Sequence, residues 1–229
     1  MFKRTLAMAL AGMAFAAAGV VAPHAKADYA EAKDIVDSSK ITIQRLIRSP
    51  ETPQVKSLLA RVKGVMIFPQ ILKGAFFIGG EGGSGVMMSK YANGAWSYPA
   101  FYTMGSVSFG LQIGGQSSEA VLLIMTQRGL DSIINDQVKL GADISAAAGP
   151  VGIGTEASTT TATGADIYVY SLNKGLFIGA ALEGAVIAKR KDWNQVFYKG
   201  TYTPTQIVRE NRASNPDADP LRAAVEAGA

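Results

Sequence analysis

The chain has 229 residues, 22 Lys and Arg against 18 Asp and Glu, a formal net charge of +4, one histidine and no cysteine. No disulfide, thiolate metal site or cysteine nucleophile is available to it, and a lone His24 cannot build an imidazole zinc site. With hydrophobic residues at 48% it has the material for a sizeable core.

The N-terminus reads as a cleavable secretory signal over residues 1–27. Lys3 and Arg4 form a positive n-region, Leu6 to Ala22 an apolar stretch rich in Ala and Gly, and Ala25-Lys26-Ala27 a small-x-small cleavage site. The apolar stretch falls short of the ~20 residues a membrane span needs. Cleavage after Ala27 removes three cations and no acid, so the mature chain is nearly neutral and a nucleic-acid role loses its electrostatic support. It also removes His24, which excludes Ser-His-Asp and Cys-His catalysis. Export without cysteines or N-x-S/T acceptor sites predicts a bacterial periplasmic protein.

From Asp28 to Arg48, Tyr29, Ala32, Val36, Ser39, Ile43 and Ile47 recur near a 3.6-residue period, which predicts an amphipathic helix. Acids near its start and Arg45 and Arg48 near its end suit the helix dipole. Ser49-Pro50 stops it. Thr52 then reads as the cap of a second helix, with Pro53 at its first position and Val55, Leu58, Leu59 and Val62 on one face.

Short apolar runs punctuated by glycine follow. Residues 64–68, 75–79 and 85–88 read as strands, Gly80 to Ser84 as a turn, and Ala92-Asn93-Gly94 as a hairpin ahead of Trp96. Residues 106–115 and 120–125 predict two further strands, and Thr126 caps a helix to Asn135 with Leu130, Ile133 and Ile134 inward. The stretch 140–163, rich in Gly, Ala and Thr, reads as strands with close backbone neighbours. Residues 167–170, 176–181, 185–188 and 196–198 add strands, 204–212 a short helix, and 213–229 a frayed tail. The fold class is α+β: one domain over 28–212, with a curved, mostly antiparallel, barrel-like sheet carrying two N-terminal helices and one short helix.

Several chemical motifs have bland readings. Gly80-x-Gly82-x-x-Gly85 fits a dinucleotide pattern, but a strand follows where a helix N-terminus would be needed. Ser171-x-x-Lys174 lacks the partner motifs of a serine acyl-enzyme. Glu81 and Glu183 sit in matching glycine-rich hairpins and would form an acid/base pair only if they faced one another. Asp143 and Asp166 read as turn or cap residues. Lys73-Gly74-x-Phe76 recurs as Lys174-Gly175-x-Phe177, which reads as two hairpins using the same glycine chemistry.

The ordered motifs Pro69, Lys73-Gly74-x-Phe76, Gly79, the Gly82/Gly83/Gly85 cluster, Trp96-x-x-Pro99-Ala100-Phe101 and Ser108-Phe109-Gly110-x-Gln112-x-Gly114 resemble the SYLF family of lipid-binding domains. The likeness continues through Leu140-Gly141-Ala142-Asp143, residues 147–152 and Ser171-x-x-Lys174-Gly175, and ends near Gly184. The resemblance implies a non-catalytic module that binds acidic lipid through basic, amphipathic N-terminal sequence. Eukaryotic members are linked to phosphoinositides and actin, and neither partner is expected in a bacterial envelope.

The charge pattern agrees. Between Lys40 and Lys73 the cations Lys40, Arg45, Arg48, Lys56, Arg61, Lys63 and Lys73 face one acid, Glu51. Such a patch beside apolar helix faces attracts an anionic phospholipid surface, at up to ~1 kcal/mol per cation. An ordinary solvated helix face would carry the same charges. Trp96 is the aromatic candidate for interfacial contact, with sheet packing as the plainer reading. An envelope module that meets an acidic protein partner is the alternative, and no cofactor or metal is expected.

Overall fold

The computed structural model describes residues 27–75, 79–108, 116–151, 164–173, 176–179, 182 and 184–229. Residues 1–26 of the signal segment, 76–78 and 109–115 of two expected strands, the 152–163 half of the 140–163 stretch, Lys174 and Glu183 lie outside the described residues.

The chain opens with helices α1 (Tyr29–Arg48) and α2 (Val55–Leu59), followed by strands β1 (Gly64–Ala75), β2 (Gly79–Ser89), β3 (Ala100–Ser108) and β4 (Gln116–Ile124). Then come α3 (Gln127–Asn135), β5 (Val138–Lys139), β6 (Ala146–Ala148), β7 (Ile167–Asn173), β8 (Leu176–Gly179) and β9 (Val186–Lys189). Helices α4 (Lys191–Tyr198), α5 (Pro204–Val208) and α6 (Asp219–Glu226) finish it, with a 3-10 turn Pro216–Ala218 before α6. One curled sheet runs in the order β5-β9-β3-β2-β1-β4-β7-β6, with β8 also paired to β7. Every pairing is antiparallel except β6 with β7.

Both faces of this sheet are buried, which is why the strand sequences run apolar without polar alternation. Val65, Ile67, Val86, Met88, Phe101, Val121 and Leu123 pack under α1, α2, α4 and α6. Their neighbours Met66, Phe68, Met87, Tyr102, Leu122 and Ile124 point the other way, onto α3, α5 and the 138–144 segment. A strand covered on both sides buries every residue, so a period of two vanishes from the sequence.

The first hairpin is longer than its sequence suggests. β1 runs unbroken through Pro69 to Ala75, and β2 begins at Gly79, so Gly80 to Ser84 is strand and not turn. The β1 register shifts between Ile67 and Leu72, and this irregularity accommodates Pro69, which has no N–H for the ladder. The glycines serve the close approach opposite it. A Cβ on Gly83 would lie 2.1 Å from the Gln70 carbonyl oxygen, and one on Gly85 would lie 2.3 Å from that of Ile67.

Three more expectations are corrected. Residues 196–198, read as a strand, close α4, where Trp193 and Phe197 are one helical turn apart and both enter the core. Thr52 does not cap α2: its hydroxyl donates to the Leu46 carbonyl at 2.9 Å and ties the end of α1. Residues 213–229 are no frayed tail. Leu221 and Val225 of α6 are fully buried beside α1, and Arg222 donates through Nε and Nη2 to the Trp96 carbonyl at 3.1 and 2.9 Å. Tyr29 donates to Asp217 at 2.7 Å across the same seam.

Candidate functional site

α1 lies over the sheet with its ends fixed on different elements. At the N-terminal end Tyr29 stacks on Phe197 of α4, ring centroids 5.8 Å apart. At the C-terminal half the Glu119 carboxylate of β4 accepts from Thr42 Oγ1 and Arg45 Nη1, both at 2.5 Å. Arg45 is therefore an anchor as well as a surface cation, although it stays 56% exposed.

The seven cations of the sequence patch fall in three places. Lys40, Arg45 and Arg48 ride on α1, where Arg45 and Arg48 are exposed and Lys40 is half-buried. Lys56, Arg61 and Lys63, all exposed, belong to α2 and the link into β1. Lys73 sits near the far end of β1, paired in register with Glu81. Ten residues of strand separate Lys63 from Lys73, roughly 30 Å, so these two cannot serve one headgroup.

Strand pairing brings to Lys63 two cations from distant sequence. The Lys63 N–H donates to the Ile124 carbonyl at 2.8 Å, and the Lys90 N–H donates to the Lys63 carbonyl at 2.9 Å. Lys90 Nζ donates to the Ala60 carbonyl at 3.2 Å, next to Arg61. Arg128, in the first turn of α3, follows closely on the end of β4. The base of the sheet, at the start of β1 and the ends of β2 and β4, therefore gathers Lys56, Arg61, Lys63, Lys90 and Arg128. Among the described residues only Arg128 of these five is in an ion pair, with the buried Asp166. Lys90 and Arg128 escaped the sequence reading because they lie outside the Lys40–Lys73 window. The 64–68 and 85–88 strand signals held the clue, since pairing them as a hairpin sets Ser89 opposite Gly64.

Trp96 does not present a ring to solvent. It is 2% exposed, packs in the core on the α1 side, and lies beneath Lys90, whose Nζ is 5.8 Å from its centroid. Packing within the fold is its role.

Asp166 is the buried polar hub at this end of the molecule. Its carboxylate accepts from Thr126 Oγ1 at 2.5 Å, from Ser145 Oγ and N at 2.6 and 3.2 Å, and from the Arg128 guanidinium. Its own N–H donates to Ser145 Oγ at 2.9 Å. Burial opposes its charge, yet the Ser145, Thr126 and Arg128 hydrogen bonds outweigh that and hold the carboxyl below its ordinary value. Every oxygen is satisfied from within the fold, so the group joins β4, α3, β6 and β7 and has no capacity left for a ligand. Elsewhere, Glu81 accepts from Ser106 Oγ at 2.9 Å, and Ser171 Oγ donates to the Glu119 carbonyl. Asp143 accepts from the Lys139 N–H at 2.7 Å as a turn residue.

A groove follows the outer side of α1. Its wider part, about 1,010 Å³, is lined by Ile41, Arg45 and Arg48 together with Ser117 and Ser118 of β4. A second part of about 610 Å³ runs along Glu31 and Asp34, over Leu72 and the Gly82-Gly83-Ser84 floor of β2. Pro69 and Gln70 border both. Among the described residues no helix is long and apolar enough to cross a membrane.

Comparison with known proteins adds the following. The family Ysc84, described as "Las17-binding protein actin regulator", matches residues 105–228, a span that reaches through α6. "LAS seventeen-binding protein 3" of Saccharomyces cerevisiae is 33% identical over 175 residues, covering 75% of this chain and 38% of that protein. "SH3 domain-containing protein PJ696.02" of Schizosaccharomyces pombe is 33% identical over 168 residues, 72% of this chain and 39% of its own length. "SH3 domain-containing YSC84-like protein 1" of Homo sapiens is 29% identical over 142 residues, 62% and 41% respectively. The chain thus spans about two fifths of the length of these relatives.

Proposed function

The chain belongs to the Ysc84 family, the family of the SYLF domain, and on that premise we propose that it is a non-catalytic lipid-binding module, exported to a bacterial periplasm, that docks on anionic phospholipid through the base of its sheet. The observation that carries this reading is the gathering of Lys56, Arg61, Lys63 and Lys90 there, none in an ion pair among the described residues. Their attraction to an anionic surface adds up to ~1 kcal/mol per cation, and salt screens it over a Debye length of ~8 Å at physiological ionic strength. Lys40 and Arg48 on α1 extend the charge, Arg45 contributes what Glu119 leaves exposed, and Lys73 and Trp96 have no part in it. The apolar side of α1 is already committed to the sheet and α6, so docking proceeds through surface charge with the fold intact.

The test is co-sedimentation with phosphatidylglycerol vesicles of residues 28–229 carrying Lys56→Glu, Arg61→Glu and Lys63→Glu together. Loss of three such attractions should weaken binding by about a hundredfold, at ~1 kcal/mol each. A triple variant that binds like the wild type would remove the base of the sheet from the account. A second reading, an envelope module that binds protein, is favoured by the relatives' printed description as Las17-binding. It predicts an interaction that persists in lipid-free extracts.

A further inference from the structure

The groove along α1 carries a charge order of which the lipid reading uses only one end, Arg45 and Arg48. At the α1 N-terminal end, Glu31 and Asp34 line it and are in no ion pair among the described residues. At the other end the Glu119 charge is paired by Arg45, with Thr42 donating to it as well. Glu51 accepts from the Ser49 hydroxyl and keeps its charge, so that Arg45 and Arg48 offset two acids there and the groove runs from net negative to neutral. Arg48 is left there as an exposed guanidinium in no ion pair among the described residues. Between the two ends stand Leu72 and Ile41, 57% and 46% exposed, the large hydrophobic side chains that the described surface leaves open. Acids, apolar side chains and a cation therefore follow one another along a single trough. A lipid bilayer presents a flat face of one sign and has no reason to match such an order.

We propose that this groove is a docking site for an extended segment of a partner protein that carries basic residues at one end, apolar residues in its middle and an acid at the other. The dimensions fit. From Glu31 to Arg48 the helix advances about 26 Å at 1.5 Å per residue, which about eight residues of extended chain would span. The partner's basic end meets Glu31 and Asp34, its apolar side chains cover Leu72 and Ile41, and its acid meets Arg48. The site is separate from the base of the sheet, so it stands whether or not that base binds lipid.

The experiment uses residues 28–229 and two fluorescein-labelled ten-residue peptides of one composition, two Lys, two Glu, three Leu and three Ser. In one peptide the Lys pair and the Glu pair are at opposite ends with Leu between; in the other the charges alternate. Fluorescence anisotropy should show saturable binding of the segregated peptide and clearly weaker binding of the alternating one. Glu31→Lys with Asp34→Lys should weaken the segregated peptide by about threefold to tenfold, the range expected for two exposed ion pairs. Adding Arg48→Glu reverses both ends, so a peptide able to lie in either direction should regain its affinity, and this rescue also shows that the variants fold. Equal binding of the two peptides, no saturable binding of either, or no response to charge reversal would overturn the proposal. So would an Ile41→Ser, Leu72→Ser variant that loses phosphatidylglycerol vesicle binding while the peptide interaction is unchanged or absent.

Discussion

Replacing Asp166 with Asn tests whether one buried carboxylate joins β4, β6 and β7 to α3. The side chain is 2% exposed and accepts from Thr126, from Ser145 twice and from Arg128. Asn keeps the shape but substitutes an NH₂ for one oxygen, which then faces the Ser145 N–H and the guanidinium, donor against donor. Hydrogen bonds to a charged group contribute about 1.5–3 kcal/mol each, and a buried donor left unpaired costs about 1–3 kcal/mol, so a loss of about 3 kcal/mol is expected. For a domain of this size that corresponds to a melting temperature about 6–12 °C lower. Arg128, whose side chain is 69% exposed, should matter far less: Arg128→Gln should cost no more than about 1 kcal/mol. Urea unfolding followed by tryptophan fluorescence, with matched m-values, measures both. The pH dependence carries the sign. Because the folded carboxyl sits below its ordinary value, its stabilisation is present above the unfolded pKa of about 4 and is lost as pH falls through the lower folded one. The wild type should therefore lose stability more steeply below about pH 4 than Asp166→Asn does. An Asn variant within 0.5 kcal/mol of wild type, by the estimated scale of surface substitutions, would refute the reasoning.

Three other substitutions probe packing and backbone conformation. Leu221→Ala in α6 should lower stability by about 2–5 kcal/mol in the same urea assay, since Leu221 is 1% exposed in the α1 seam; a neutral result would mean that the C-terminal helix is not part of the core. Gly85→Ala places a methyl 2.3 Å from the Ile67 oxygen and 2.6 Å from Phe68 Cδ1, and should cost about 1–3 kcal/mol. Gly94→Ala meets nothing within 4 Å and should lose only about 1 kcal/mol, through its φ of +86°. If thermal melts reverse that order, the close approach of β1 and β2 is not what their glycines serve.

What was legible in the sequence is what local physics decides. Thr126 accepts from the Gly129 N–H and caps α3 as its residue type and position foretold, and the period of α1 survives as its buried stripe Ala32, Val36, Ser39 and Ile43. The Ala92-Asn93-Gly94 turn places its glycine at positive φ and closes on a Lys90–Trp96 bridge. What failed was decided by partners. Gly80 to Ser84 looks like a turn because glycines punctuate turns, but here they admit a neighbouring backbone. The β-forming Val196, Phe197 and Tyr198 become helix because Phe197 and Trp193 reach one core only at helical spacing. Residues 213–229 resembled a tail for their Ala and Pro content, although Pro216 and Pro220 each stand in the opening turn of a helix and Leu221, Ala224 and Val225 repeat at helical spacing. The basic window was visible as composition. Its division could not be, since only the pairing of β1 with β2 and β4 brings Lys90 and Arg128 beside Lys63 and sends Lys73 to the far end.

The most direct test of the central claim is flotation of residues 28–229 with phosphatidylcholine vesicles and with vesicles containing phosphatidylglycerol, at low and at physiological salt. The account predicts binding that needs the anionic lipid and fades as salt rises. Binding indifferent to both lipid charge and salt, or no binding to either vesicle, would contradict it.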